Sequence, residues 1–199
     1  MGIQLIIRWR MLGLAMVLLM ALSACSPIVI IPDNALESAI RAEIRKPLSL
    51  FLTQRDLNGV RKLNATDLKI AKLKGLQFCI NMNDLNLTNN QVSDISQLRN
   101  MTQLVRLHLG DNQIMDIEAI AGLLSLEYLD LSGDGNVITD WRHLEANVLN
   151  GGLSAGALVK VPRTHTFDSS GKPSSGFVGA YNAMRDAGVI VDTGEALDD

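Results

Sequence analysis

Aromatic side chains are scarce in this sequence: Phe, Tyr and Trp together are 4% of its 199 residues. Any core it builds must therefore be aliphatic. Cysteine is nearly missing, with only Cys25 and Cys79, which leaves no room for a disulfide framework. The chain has no long run of Lys or Arg and carries a formal net charge of -3, which argues against nucleic acid as its main partner. Its three histidines, His108, His143 and His165, stand at no metal-ligand spacing to one another. What remains is a chain that is 47% apolar and 20% charged, a globular composition long enough for one domain with a real core.

Residues 1–24 read as an address rather than as part of the fold. Arg8 and Arg10 give a positive start, and Met11 to Leu22 form an apolar run of signal-peptide length. That run is short for a membrane span, which needs roughly 20 apolar residues. The stretch closes on Leu22-Ser23-Ala24-Cys25. This arrangement resembles the lipobox of bacterial lipoproteins. The resemblance implies cleavage before Cys25, lipid on its thiol and amino group, and export to the cell envelope. Ser26 after the cysteine then favours the outer membrane where the cell has one. An ordinary secretory peptide with a chance cysteine is the alternative. Cleavage would move the formal net charge from -3 to -5 by removing Arg8 and Arg10 and leave Cys79 as the only free thiol.

Self-similarity dominates the rest. Leu63, Leu85, Leu107 and Leu129 are spaced 22 apart, as are Ala65, Leu87, Leu109 and Leu131. Asn90 and Asn112, Val92 and Ile114, and Ile95 and Ile117 keep the same interval of 22. Such a period marks stacked supersecondary units, each unable to bury its apolar face alone. In each unit two Leu residues point inward from a short strand while the residue between them points out. The Asn then turns the chain, its amide able to bond backbone groups between coils. The following Ile residues return along the core. The units resemble the leucine-rich repeat, L-x-x-L-x-L-x-x-N-x-I, and the Asp-Ile after the Asn turn resembles the internalin type. The resemblance covers roughly residues 33–145. It implies an α/β fold: a short solenoid with a parallel β-sheet on its concave face, a helical N-terminal cap and a mixed C-terminal cap. Two departures stand out. Leu68 replaces the Asn of the first unit, and two extra residues near Gly133-Asp134 shift Asn136, Ile138 and Trp141 in the last.

The ends are expected to be capped. Asp33 is placed to N-cap a helix with Leu36, Ala39, Ile40 and Ile44 on one face, ended by Pro47. Thr53 to Asp56 reads as a capping box opening a short helix with Leu57 and Val60. Residues 147–176 are rich in Gly, Ser and Pro and read as irregular, with Leu158 to Val161 a degenerate strand. Phe177, Tyr181 and Met184 share a helix face ended by Gly188, and Val189 to Val191 form a terminal strand. The domain organisation is thus 1–24 signal, 25–62 lipidated Cys, tether and N-terminal cap, 63–146 repeats, and 147–199 a C-terminal cap or a small irregular module.

No catalytic constellation emerges, and no cofactor is called for. His165 lies near Asp168 and several Ser residues, but no nucleophile elbow frames a Ser. Asp130, Ser132, Asp134 and Gly135 imitate the start of a calcium loop, yet Trp141 stands where the bidentate Glu belongs. Cys79 occupies the place of Met101 and Leu123 in later coils and reads as a small buried hydrophobe. The outward strand positions are left as the candidate ligand-binding surface: Asp84, Asn86, Arg106, His108, Tyr128 and Asp130, with Lys62, Asn64, Thr88 and Ser132 beside them. Tyr and Arg are common interface anchors, so the expected partner is another protein. The rival readings are a structural envelope protein without a dedicated ligand and an enzyme using 147–176.

Overall fold

In the computed structural model, which describes residues 26–194, the interval of 22 becomes a strand register. Strands β1 (Lys62–Asn64), β2 (Asp84–Asn86), β3 (Arg106–His108), β4 (Tyr128–Asp130), β5 (Leu158–Lys160) and β6 (Ile190–Asp192) form one sheet in chain order. All neighbours are parallel, and Leu63, Leu85, Leu107, Leu129, Val159 and Val191 stand side by side across it. The signal segment and Cys25 lie outside the described residues.

Each coil returns to its next strand along the opposite wall. Coils one to three do so through short 3-10 helices, Leu76–Phe78, Ser96–Leu98 and Glu118–Gly122. Leu76, Leu98 and Ile120 at these positions are fully buried. The Asp of the Asp-Ile pair has a local job: Asp94 and Asp116 each accept a 2.8 Å hydrogen bond from the backbone N–H two residues on. They satisfy donors that a 3-10 turn leaves open.

The Asn positions hold the coils together. The Asn112 amide donates to Leu109 and Gly110 of its own coil and to Leu87 of the preceding one, while its oxygen accepts from Val92 N–H. Asn90 and Asn136 repeat this pattern one coil earlier and one later. The insertion is visible in the numbers: Asn112 lies 20 residues beyond its N–H donor, Asn136 22 beyond its own. Leu68 needs no such role, since no coil precedes it; its N–H instead donates to Asn90.

A second feature of the backbone keeps the same period. Asp67, Asn89, Asp111 and Gly133, again 22 apart, all have positive φ. Asn and Asp tolerate the left-handed region, but a Cβ at Gly133 would lie 2.7 Å from the Asp111 backbone nitrogen, so only glycine fits there.

The N-terminal cap consists of α1 (Asn34–Glu43) and α2 (Gln54–Asn58). Leu36 and Ile40 of α1 are fully buried, and Ala39 and Ile44 pack against the core. The capping box at Thr53 and Asp56 forms as expected. Asp33 does more than cap: one carboxylate oxygen accepts from Ala35 and Leu36, the other from Ala71 and Lys72 of the first coil. Burial by itself would raise the Asp33 pKa, but these four backbone donors outweigh it and hold the carboxyl below its usual range.

The C-terminal cap is more regular than its composition suggests. Helices α3 (Arg142–Leu149), α4 (Arg163–Thr166) and α5 (Val178–Asp186) alternate with β5 and β6. Within 147–176 the regular elements are the end of α3, β5 and α4, and the helix and strand expected after residue 176 form as α5 and β6. The fourth coil returns through α3 rather than a 3-10 turn, and Asn147, buried on α3, ties it to the coil before. Its amide donates to the Ile120 and Leu123 carbonyls and its oxygen accepts from Leu153 N–H. Half of the eight aromatic residues gather here. The buried Trp141 meets Phe177 edge to face at 4.9 Å, and Phe167 and Tyr181 complete the cluster. Cys79 lies fully inside the coils, and burial pushes its thiol up to about 12.

Candidate functional site

A three-residue strand with its middle residue buried exposes its two flanking side chains on one face. Stacked in register, these make two rows. The first runs Lys62, Asp84, Arg106, Tyr128, Leu158, Ile190 and the second Asn64, Asn86, His108, Asp130, Lys160, Asp192. All six side chains singled out from the sequence lie in these rows. The face reaches further than expected, because β5 and β6 add Leu158, Lys160, Ile190 and Asp192. Leu-Val-Lys keeps a buried middle residue between half-buried flanks, as Tyr-Leu-Asp does, whereas Val191 in Ile-Val-Asp is only half-buried. The Leu spacing that revealed the earlier coils is lost there.

The second row is partly committed to holding the fold. Asn86 accepts a 3.0 Å bond from Thr88 N–H, and Asp130 accepts from the N–H and hydroxyl of Ser132. Asn64 and Asp192 do the same for Thr66 and Gly194. These turns close each strand end and account for the recurrence of Asn and Asp without a ligand. The Asp130 carboxylate and the Ser132 hydroxyl also crowd position 110, where Gly110 would otherwise meet them at 3.2 Å through a Cβ.

The middle of the face, where the two rows meet, has more to offer. Arg106 is exposed, and the His108 and Tyr128 rings stack at 4.5 Å with a 34° tilt. Burial, and then the negative field of Asp130, pushes the Tyr128 phenol above its usual range. Lys160 is pushed up as well, first by the field of Tyr128 in its ionised form and then by Asp192, to which it is paired at 3.6 Å. At neutral pH the phenol is thus a neutral donor beside a fixed cation. Lys62 and Asp84 pair at 3.8 Å at the opposite end. The first row therefore grades from charged at β1–β3 through Tyr128 to aliphatic at β5 and β6, while the second row ends on the Lys160–Asp192 pair.

Other candidates fall elsewhere. Asp134, offered as a calcium ligand, accepts from the Thr164 hydroxyl. Among the described residues no three His, Cys, Asp or Glu side chains come together as a metal site. His165 is exposed on α4, and Ser174 donates to its backbone carbonyl rather than to its ring.

A family model described as leucine-rich repeats, two copies, matches residues 102–146. The chain carries leucine-rich repeats. No curated protein matches it. Among solved structures, it is similar to an internalin (InlF) from Listeria monocytogenes at 28% identity and a TM-score of 0.63, over 82% of this chain and 44% of that one. It is likewise similar to internalin C2 (InlC2) from the same organism at 30% identity and a TM-score of 0.60, over 79% and 65%. The chain spans less than two thirds of either. The fold is internalin-like, a repeat scaffold typical of protein interaction.

Proposed function

We propose that this chain is an exported bacterial lipoprotein that binds another protein through its concave strand face. The observation carrying this reading is the unbroken two-row face across all six strands, with Arg106, the stacked His108–Tyr128 pair and Leu158 adjoining on one rigid surface. A charged, an aromatic and an aliphatic anchor side by side have the composition of an interface core. Binding here is a matter of shape, hydrogen bonding and stacking on a preformed sheet, with little ordering cost on this side.

The test replaces Arg106, His108 and Tyr128 together with Ala. Partner capture, by crosslinking in the native envelope, is expected to fall by more than tenfold, since truncating even one true anchor costs about 2 kcal/mol or more. The thermal midpoint should barely move, because all three side chains project from the sheet. Unchanged capture would sink the concave-face reading and favour a structural envelope role through other surfaces.

Anchoring through Cys25 is supported by the charged start, apolar run and small-residue box that precede it. Several acyl chains would make attachment stable, since one gives only marginal binding. With Cys25→Ala, acyl labelling should vanish and the protein should leave the membrane fraction; a variant still labelled and sedimenting with membranes would end the proposal. Ser26 favours the outer membrane as the destination, which fractionation of the labelled protein reads directly.

A further inference from the structure

The N-terminal cap carries an exposed apolar surface that the concave face does not use. Ile28, Ile30, Leu48, Leu50 and Phe51 are each 53–79% exposed. Single exposed aliphatic residues are ordinary, but these five lie on two adjoining segments. Ile28 bridges Thr53 in antiparallel fashion and Val29 N–H donates to the Leu52 carbonyl. Ile28 and Ile30 on one segment, and Leu50 and Phe51 on the other, are thereby brought close together with their side chains exposed. Val29, Ile31 and Leu52, which alternate with them, point into the core.

This surface is built, not loose. Arg41 of α1 is buried, paired with Glu37 at 2.8 Å, and donates to the Pro47 and Leu50 carbonyls at 3.0 and 2.9 Å. A buried guanidinium is costly unless fully bonded, and this one spends its donors on holding the loop that displays Leu48, Leu50 and Phe51. Arg45 and Arg55 are exposed and, among the described residues, make no ion pair.

The position of the surface along the chain identifies what covers it. The residues next to Cys25 are already fastened to the cap: the Ser26 hydroxyl accepts from Arg55 N–H at 3.0 Å and the Pro27 carbonyl from Gln54 N–H at 2.9 Å. No linker intervenes. Three residues of chain span at most about 11 Å, so acyl chains on Cys25 would enter a bilayer within that distance of Ile28. We propose that the outer face of the cap, Ile28, Ile30, Leu48, Leu50 and Phe51, rests in the surface of the phospholipid bilayer that receives the Cys25 acyl chains. This rests on reading Cys25 as lipidated. Exposed arginines beside an apolar patch suit phosphate headgroups, and shallow apolar burial is how peripheral elements dock. Docking sets the orientation of the molecule. The sheet then climbs away from the membrane from β1, and β6 stands about 24 Å further along the stack at ~4.8 Å per strand. The β5–β6 end of the concave face, with Leu158 and Ile190, is held outermost.

The experiment places a nitroxide at position 51 through Phe51→Cys and, as a control, at position 149 through Leu149→Cys on α3. Both native side chains are 72% exposed, so neither substitution disturbs the core. Cys79 is buried with a raised thiol pKa and does not compete for the label. The full acylated chain is reconstituted into vesicles of phosphatidylethanolamine and phosphatidylglycerol. Collision rates are read with molecular oxygen, which concentrates in the bilayer, and with a nickel chelate, which stays in water. The expected result is a label at 51 several-fold less accessible to nickel and more accessible to oxygen than the label at 149. Equal, water-like values at both positions in a chain carrying acyl label would overturn the docked cap and leave the anchor standing. Low accessibility to both agents at 51 would mean a second protein copy covers the patch, which also overturns it. Absence of acyl label on Cys25 would overturn the anchor and the docking together.

Discussion

Replacing Asn112 with Ala is expected to cost roughly 3–5 kcal/mol of stability, because it strands the buried Val92 N–H and removes three further hydrogen bonds at once. Asn112 is 2% exposed, and its amide serves the Leu87, Leu109 and Gly110 carbonyls while its oxygen serves Val92 N–H. Two of these partners belong to the preceding coil, so the loss falls on the joint between coils rather than on one turn. The Leu87, Leu109 and Gly110 carbonyls each keep one other donor, from Asn90, Asn136 and Asn89, whereas Val92 N–H has no second acceptor among the described residues. For a chain of this size the thermal midpoint should drop by about 10 °C, at 2–4 °C per kcal/mol. Asn112→Asp keeps the acceptor toward Val92 but turns an oxygen toward three carbonyl oxygens, and is expected to be at least as damaging. Thermal and urea unfolding of the two variants decide the matter. A loss below ~1 kcal/mol would mean that the coils hold by aliphatic packing alone.

Trp141→Ala should cost a similar ~3–5 kcal/mol, the usual range for emptying a large buried aromatic site, but with a different distribution. Trp141 stands where Ile95 and Ile117 stand in earlier coils, displaced by the insertion, and it is the contact through which Phe177 of the C-terminal cap reaches the repeats. Stability in a stack of repeats is close to a sum of neighbour terms. The cavity should therefore loosen α3, α5, β5 and β6 before the inner coils. Hydrogen exchange is expected to show early loss of protection over residues 141–192, with 82–130 still protected at low urea. Uniform loss over the whole chain would show instead that cap and repeats unfold as one unit.

Legibility followed the strength of the periodic signal. Leu85, Leu107 and Leu129 announced themselves by repetition, and with them the inward face, the outward face and the Asn turns. The candidate residues Asp84, Asn86, Arg106, His108, Tyr128 and Asp130 followed by alternation. Where repetition failed, reading failed. The first coil's tie to α1 runs through Asp33 and the N–H groups of Ala71 and Lys72, residues 38 and 39 apart that share no pattern. Asn147 looked like one more polar residue at the edge of a Gly-rich stretch, and only its place among the Ile120, Leu123 and Leu153 backbone groups makes it an anchor. Arg41 sat in a helix whose apolar stripe omitted it, yet it is buried, because the carbonyls of Pro47 and Leu50 fold back over it.

The sequence by itself determined the coil: its length, its inward residues, its turn and the sheet that stacking must produce. A repeating unit that cannot bury its apolar face alone has one way to do so, against its own copy, and that logic is local enough to read from spacing. Only the tertiary structure decided how far the sheet continues, which polar residues are structural, and which apolar residues stay outside. Those outcomes depend on backbone groups distant in sequence arriving at the same side chain. Whether Asn86 and Asp130 are free for a ligand, or Phe51 is core or surface, is settled by what stands opposite them rather than by which residues precede and follow.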